Sequence, residues 1–339
     1  MRTRRQDPDA PANIVRPLVG LAVVLVVPAL VITGGAASRY FSTSGEHTVP
    51  AVLGDTSLWT EAFEDDFDGE SLDDEKWQAD RGGEDDGIDP RQPFNLDLEA
   101  AWFSPDNVTV ADGRLHLTVR PEAATVAGRT YPMSSGMVQT GRRFLVEQGS
   151  YVEARIQVPR CDGCWPAFWL VPPGTWPPEI DIMEWGDTAR PERLLPHFNF
   201  IDASDERSGP AEYGPADRDM RGGFHTFGLL WTENAVLPVL DGVPYPEVQA
   251  VDDLPDMGMT LVMNLSVKQA ARPEEGSQML VDWVRVWTPL GHARADASSG
   301  DPAGAAPRAP SQLRHRYRRP YDQAVGERLE AAGGITLTG

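Results

Sequence analysis

The chain has 339 residues, of which 41% are hydrophobic and 24% charged, with a formal net charge of -21. That length holds two average domains or one large β-sandwich, and the 32 glycines and 30 prolines point to many turns. The acidity argues against nucleic acid and anionic membrane surfaces as partners.

Arg2, Arg4 and Arg5 precede an apolar run over residues 18–37, close to the roughly 20 residues that span a bilayer. Basic residues ahead of such a run keep the N-terminus in the cytoplasm and send the rest across. Gly35-Ala36-Ala37 also resembles a cleavage site. A signal peptide and a retained anchor both fit, and the length of the run favours the anchor. Residues 1–37 are therefore set outside the fold, and 38–62 read as a linker. The chain beyond the apolar run is expected outside the cell, secreted or held at the membrane by its N-terminal segment.

The globular domain is placed at 63–289, opening on Phe63-Glu64-Asp65-Asp66-Phe67. Residues 108–110 lead through Asp112-Gly113 into 115–119, a hairpin signal. Residues 151–158 and 279–287 alternate apolar and polar side chains. Runs at 224–231 and 236–240 are bounded by turns, the second closing on Asp241-Gly242. Long helical periodicity is absent between them, and many short strands mean an antiparallel sandwich or barrel. Residues 290–339 turn to Ala, Pro, Gly, Ser and Arg. They read as a disordered tail, with a basic run at 314–319. No internal repeat is evident, and a monomer is expected.

Cys161 and Cys164 enclose Asp162-Gly163. A small-loop disulfide, half of a metal site and a redox pair are the three readings. No second cysteine pair completes a zinc site and no βαβ pattern surrounds the motif. The turn-forming Asp-Gly in an exported chain favours the disulfide.

The chemistry is placed on Glu179-Ile180-Asp181-Ile182-Met183-Glu184-Trp185. Acids alternate with apolar residues, the period of a strand with one polar face. Glu179 and Asp181 share a side, but in a regular strand Glu184 points the other way. One inserted residue between Asp181 and Glu184, a β-bulge, puts all three carboxylates on one face. At about 3.3 Å per step, Glu179 and Glu184 then stand about 13 Å apart at the backbone. Side chains leaning together bring the carboxyls to about 5–5.5 Å, the spacing of a retaining glycosidase. Crowded acids cannot all ionise, so the cluster is expected to hold a proton. Trp165, Trp169, Trp176 and Trp185 gather around this strand. Indoles stack on the apolar faces of sugars, so Trp176 and Trp185 are placed at the sugar, and one of Trp165 and Trp169 in the core.

Together these segments resemble glycoside hydrolase family 16, whose hallmark is Glu-x-Asp-x-(x)-Glu; Glu179 to Glu184 match the longer, laminarinase-like form. Asp66-Phe67-Asp68-Gly69, Ser104-Pro105-Asp106-Asn107-Val108, Ser135-Gly136-Met137-Val138, Trp165-Pro166-Ala167-Phe168-Trp169-Leu170 and Phe224-His225-Thr226-Phe227-Gly228 are similar to family segments, in order. So is Leu280-Val281-Asp282-Trp283-Val284-Arg285-Val286. The resemblance implies an all-β jelly-roll of two antiparallel sheets. It implies Glu179 as nucleophile, Glu184 as acid/base, and Asp181 tuning their protonation. Trp165, Trp176, Trp185, His197 and Glu99 are then candidates for holding substrate. No cofactor is required, although Asp282 and the backbone at Gly113 match positions that hold a structural calcium in some relatives.

Two departures concern the cleft. Asn264-Leu265-Ser266-Val267 runs into Lys268-Gln269-Ala270 where relatives carry Gly-Gly, and Ala101 replaces a polar residue downstream of Glu99. The activity implied is a retaining endo-β-glycosidase on a polysaccharide, first of all β-1,3-glucan. A transglycosylase on the same polymer and a non-catalytic carbohydrate-binding protein are the alternatives.

Overall fold

The computed structural model describes residues 50–290 apart from 83–86, 187, 189–194, 202–206, 216–217, 233–234 and 246–256. The apolar N-terminal run and the C-terminal tail lie outside the described residues. Among those described, no helix is long and apolar enough to cross a membrane.

In chain order the strands are β1 (Trp59–Asp65), β2 (Ala101–Phe103), β3 (Val108–Ala111), β4 (Arg114–Thr118), β5 (Ala124–Val126) and β6 (Arg129–Tyr131). Next come β7 (Met133–Ser135), β8 (Met137–Gln139), β9 (Tyr151–Gln157), β10 (Cys164–Val171), β11 (Glu179–Glu184) and β12 (His197–Ile201). The last are β13 (Arg207–Glu212), β14 (Phe224–Trp231), β15 (Val236–Leu240), β16 (Val243–Pro244), β17 (Thr260–Val267) and β18 (Gln278–Pro289).

Two large sheets result. One runs β16-β15-β14-β9-β18-β4-β3, with β1 also on β18, and the other runs β13-β12-β11-β10-β17-β8. Every pairing within them is antiparallel. The expected two-sheet all-β architecture is present, with additions: β2 pairs β7 in parallel, and β5 with β6 forms a separate hairpin.

Alternation decides what fills the space between the sheets. Phe168, Leu170, Leu261, Met263 and Leu265 of one sheet share a buried cluster with Ile156, Phe227, Leu229, Val281 and Val284 of the other. Each such side chain contributes about 1.5–3 kcal/mol on leaving water. The intervening residues Ala167, Trp169 and Val262 pack in a second cluster with Phe103 and Met137, on the opposite face of β10 and β17. That second face carries the site.

The predicted hairpin is β3–β4. Its turn residues Asp112 (φ 52°) and Gly113 (φ 68°) are both left-handed, as a two-residue type I′ turn demands. The start of the domain differs from expectation. Leu53 and Trp59 pack with Tyr151, Leu230 and Trp287, and β1 pairs with β18 from Trp59 onward. Residues 53–62 therefore belong to the fold and not to a linker, because their apolar side chains close one end of the larger sheet.

Candidate active site

The site is built on β11. Asp181 lies opposite Asn199 of β12 and Glu184 opposite His197, so three steps on one strand face two on the other. Against β10 the same slip appears: Met183 meets Phe168, Asp181 meets Trp169, and Ile182 is skipped. The predicted bulge is present, and it shifts the phase of the strand. Ile180, Ile182 and Met183 lie in the core cluster between the sheets, while Glu179, Asp181 and Glu184 stand on the other side. Glu179 and Glu184 are partly exposed and Asp181 is 7% exposed.

A bulge leaves ladder groups without strand partners, and here a side chain takes one of them. The buried Tyr213 hydroxyl donates to the Ile182 carbonyl at 2.7 Å, and burial holds that phenol well above its ordinary range. On the open face, indole and amide N–H groups point at the carboxylates. Trp176 Nε1 donates to Glu179 Oε2 at 3.0 Å. Glu184 accepts from Trp165 Nε1 at 2.6 Å on one oxygen and from Asn199 Nδ2 at 2.7 Å on the other. The Lys268 ammonium sits 4.5 Å from the centre of the Trp165 ring. His197 borders Glu184 across the strand pair, with Nε2 3.3 Å from Glu212 Oε1.

The tryptophans divide differently from expectation. Trp176 is 50% exposed on the segment entering β11, and Trp165 is part-buried against Glu184. Trp169 is the core member of its pair, edge-on to Phe94 with ring centres 4.8 Å apart. Trp185 is 0% exposed and meets Phe227 edge-on between the sheets. It is removed from the set that could hold a sugar: once the bulge turns Glu184 to the open face, the next residue turns inward.

Glu99 also departs from the role expected of it. It is 1% exposed, its Oε1 accepting the Asn95 N–H at 2.7 Å and its Oε2 the Ser266 hydroxyl at 2.6 Å. It is thus sealed beneath the face and is not presented to a sugar. Burial pushes its carboxyl up to about 7, against the pull of the Ser266 and Asn95 hydrogen bonds and the Arg81 charge.

Asp282 does not suit calcium. Its two oxygens are held by Arg155 at 2.5 Å and Arg114 at 3.4 Å, and two guanidinium cations there oppose a divalent ion. Gly113 serves the hairpin turn. Among the described residues no group of three or more His, Cys, Asp or Glu could hold a metal ion.

Cys161 and Cys164 are joined, with Cα atoms 5.4 Å apart. A side chain at Gly163, between them, would collide with Ala271. Thr188, just beyond β11, bonds both half-cystines: its N–H reaches the Cys164 carbonyl at 3.2 Å, and its hydroxyl accepts the Cys161 N–H at 3.1 Å. The disulfide so ties the end of the acidic strand to the start of β10.

Asn264 and Ser266, from the segment read as a departure at the cleft, join the site, and so does Asn199, which the sequence alone did not mark for it. The signal for Asn199 was present, since it stands two residues from His197 and shares its face. That it reaches Glu184 depends on the register between β11 and β12.

Residues 97–285 match the glycosyl hydrolases family 16 along their length. The chain belongs to that family. Among its relatives is an endo-1,3-1,4-β-glycanase of Rhizobium meliloti, EglC, 29% identical over 251 residues, which are 69% of this chain and 53% of that one. A glucan endo-1,3-β-glucosidase A1 of Niallia circulans is 28% identical over 72% of this chain and 39% of its own length. The chain thus spans about half or less of the length of these curated relatives. The catalytic domain of an endo-1,3-β-glucanase (laminarinase) from Thermotoga petrophila superposes with a TM-score of 0.56 at 24% identity, over 68% of this chain and 98% of that domain. That likeness bears on the fold.

Proposed function

We propose that this family 16 chain is a retaining endo-β-glycosidase that cleaves a β-1,3-glucan or a mixed β-1,3/1,4-glucan. The observation that carries this reading is the bulge, which gathers Glu179, Asp181 and Glu184 on one open face with indole donors on the outer two. In the first step Glu179 attacks the anomeric carbon while Glu184 gives its proton to the departing sugar oxygen. A covalent glycosyl-enzyme forms and the glycosidic C–O bond breaks. Glu184, now a carboxylate, takes a proton from water as the water oxygen attacks the same carbon and frees Glu179. The Trp176 N–H orients Glu179, and Trp165 and Asn199 aim Glu184. Asp181 lies between them on the same face. Carboxylates alone perform both steps, so the chemistry needs no cofactor. The half-exposed Trp176 is the face offered to a sugar ring.

The choice of glucan follows the activities that the relatives are named for, and among the described residues no cluster of cations flanks β11 to favour a sulfated polymer. Laminarin, mixed-linkage glucan, agarose and galactan, each incubated with wild type and Glu179→Gln, test it. Reducing ends should appear from the first two with wild type only. The substitution should lower kcat by roughly a thousandfold or more, about 4 kcal/mol of barrier. Equal rates in the two proteins would remove Glu179 as nucleophile. We further infer export: residues 18–37 carry the domain across a membrane and hold it there or are cleaved. Recovery of the protein from the cytosol with its N-terminus intact would contradict this.

A further inference from the structure

Glu99 is a buried acid that the double displacement leaves unused. Its carboxylate starts a chain of hydrogen bonds with a defined direction. The Ser266 hydroxyl donates to Glu99 Oε2, so Asn264 Nδ2 donates to the Ser266 oxygen at 2.9 Å. This turns Asn264 Oδ1 toward the Trp169 indole, which donates to it at 2.8 Å. The loop closes on the other side: Phe94 lies edge-on to Trp169 and under the Arg81 guanidinium at 4.7 Å, and the Arg81 charge acts on Glu99. Trp169 stands opposite Asp181 in the strand register.

We propose that Glu99 is a positioning residue for the proposed glycosidase: through Ser266 and Asn264 it sets the Trp169 indole, and with it the floor of the cleft beside Asp181. The inference rests on the glycosidase reading. As a carboxylate, Glu99 only accepts, and the three hydrogen bonds from Trp169, Asn264 and Ser266 all run toward it. As a neutral acid it adds a donor. Oε1 already takes the Asn95 N–H, so the new proton falls toward Ser266 and reverses the chain. An Asn264 amide flipped in response would set its NH2 against the Trp169 N–H, two donors with no acceptor between them.

The carboxyl, pushed up to about 7 by burial, makes this change within reach of ordinary conditions. Among the described residues, Arg81, Lys268 (a backbone bridge partner of Glu99) and Tyr131 are ionisable groups near it. Asp97, on the same segment, is paired with Arg129 at 3.2 Å. For stability the sign is unfavourable to the carboxylate. Glu99 favours the fold fully below its ordinary 4.5 and loses that contribution as pH rises through about 7. A positioning role therefore predicts that activity and stability move in opposite directions.

Glu99→Gln mimics the neutral acid, its amide oxygen accepting from Asn95 and its NH2 turned to Ser266. Ser266→Ala cuts the chain while keeping the acid. For both, kcat and KM on mixed-linkage glucan are measured from pH 5 to 9, with Tm and the emission difference between each protein and its Trp169→Phe counterpart. In wild type, kcat/KM and the indole signal should rise together with a midpoint near 7. Both variants should lose the step, with KM at pH 8 raised about tenfold and kcat within about threefold. At pH 8 the Tm of Glu99→Gln should equal or exceed that of wild type. Retention of the indole step and of wild-type KM in Glu99→Gln overturns the proposal, as does a large fall in Tm with an unchanged pH profile. His197 stays in both variants, so a step that survives them arises elsewhere. Should the wild type cleave no glucan, the glycosidase reading fails, while the indole signal still decides the role of Glu99.

Discussion

Glu184 takes an N–H on each of its oxygens, and the indole that supplies one of them also carries the Lys268 ammonium on its face. Trp165→Phe separates these two relations, keeping an aromatic face for the cation while deleting the N–H. A hydrogen bond to a charged acceptor is worth about 1.5–3 kcal/mol. We expect kcat to fall about tenfold to a hundredfold with a smaller change in KM, because in the proposed mechanism the bond orients the acid and makes no contact with the sugar. Steady-state kinetics on the preferred glucan check this, and an unchanged kcat would mean that Asn199 aims Glu184 alone. Lysine at 268 could be read directly as a departure from the family pattern, whereas its position over Trp165 could not. The β17 residue Ser266 pairs with Trp165, and only that pairing shows which strand Lys268 leaves and toward which ring.

At the level of the element, one extra residue in β11 sets the whole arrangement. With the same residues in a regular period-2 strand Glu184 would point into the core; the bulge at Ile182 returns it to the open face. The spacing of the acids contained this, since Glu-x-Asp-x-x-Glu cannot place its last carboxylate beside the others on an unbroken strand. The support for the bulge was not legible. The Ile182 carbonyl is bound by Tyr213, 31 residues away, on a segment with no local motif. Tyr213→Phe leaves that carbonyl buried and unpaired, at a cost of about 1–3 kcal/mol. Urea denaturation should show the loss as a lower midpoint with an unchanged slope. Activity per folded molecule should fall as well, because the bulge loses a constraint next to Glu184. Wild-type values for both would show that water replaces the phenol without consequence.

In the whole molecule, β18 joins the ends of the domain. It pairs with β1, β4 and β9, so the larger sheet lacks its middle until nearly the entire domain exists. A chain ending at Gly276 retains the complete six-stranded sheet, yet it exposes the inner face of that sheet where Val281 and Val284 should cover it. We expect such a chain to lose near-UV circular dichroism and cooperative unfolding, while one ending at Leu290 keeps both. Independent folding of the shorter chain would show that the six-stranded sheet carries its own core. The same long-range closure explains Asp282. In sequence it is a lone acid at a position associated with calcium, but strand assembly brings Arg155 and Arg114 to it from β9 and β4.

The sequence by itself determined the strand alternation, the short disulfide loop and the need for a bulge among three acids, because each depends on residues within a few positions of one another. Tertiary structure alone decided which face of each strand meets the other sheet. Period 2 separates two sets of side chains without saying which set is inside. For this reason Trp185 proved to be core, Trp176 remained half exposed, and Glu99 was enclosed by a serine 167 residues along the chain.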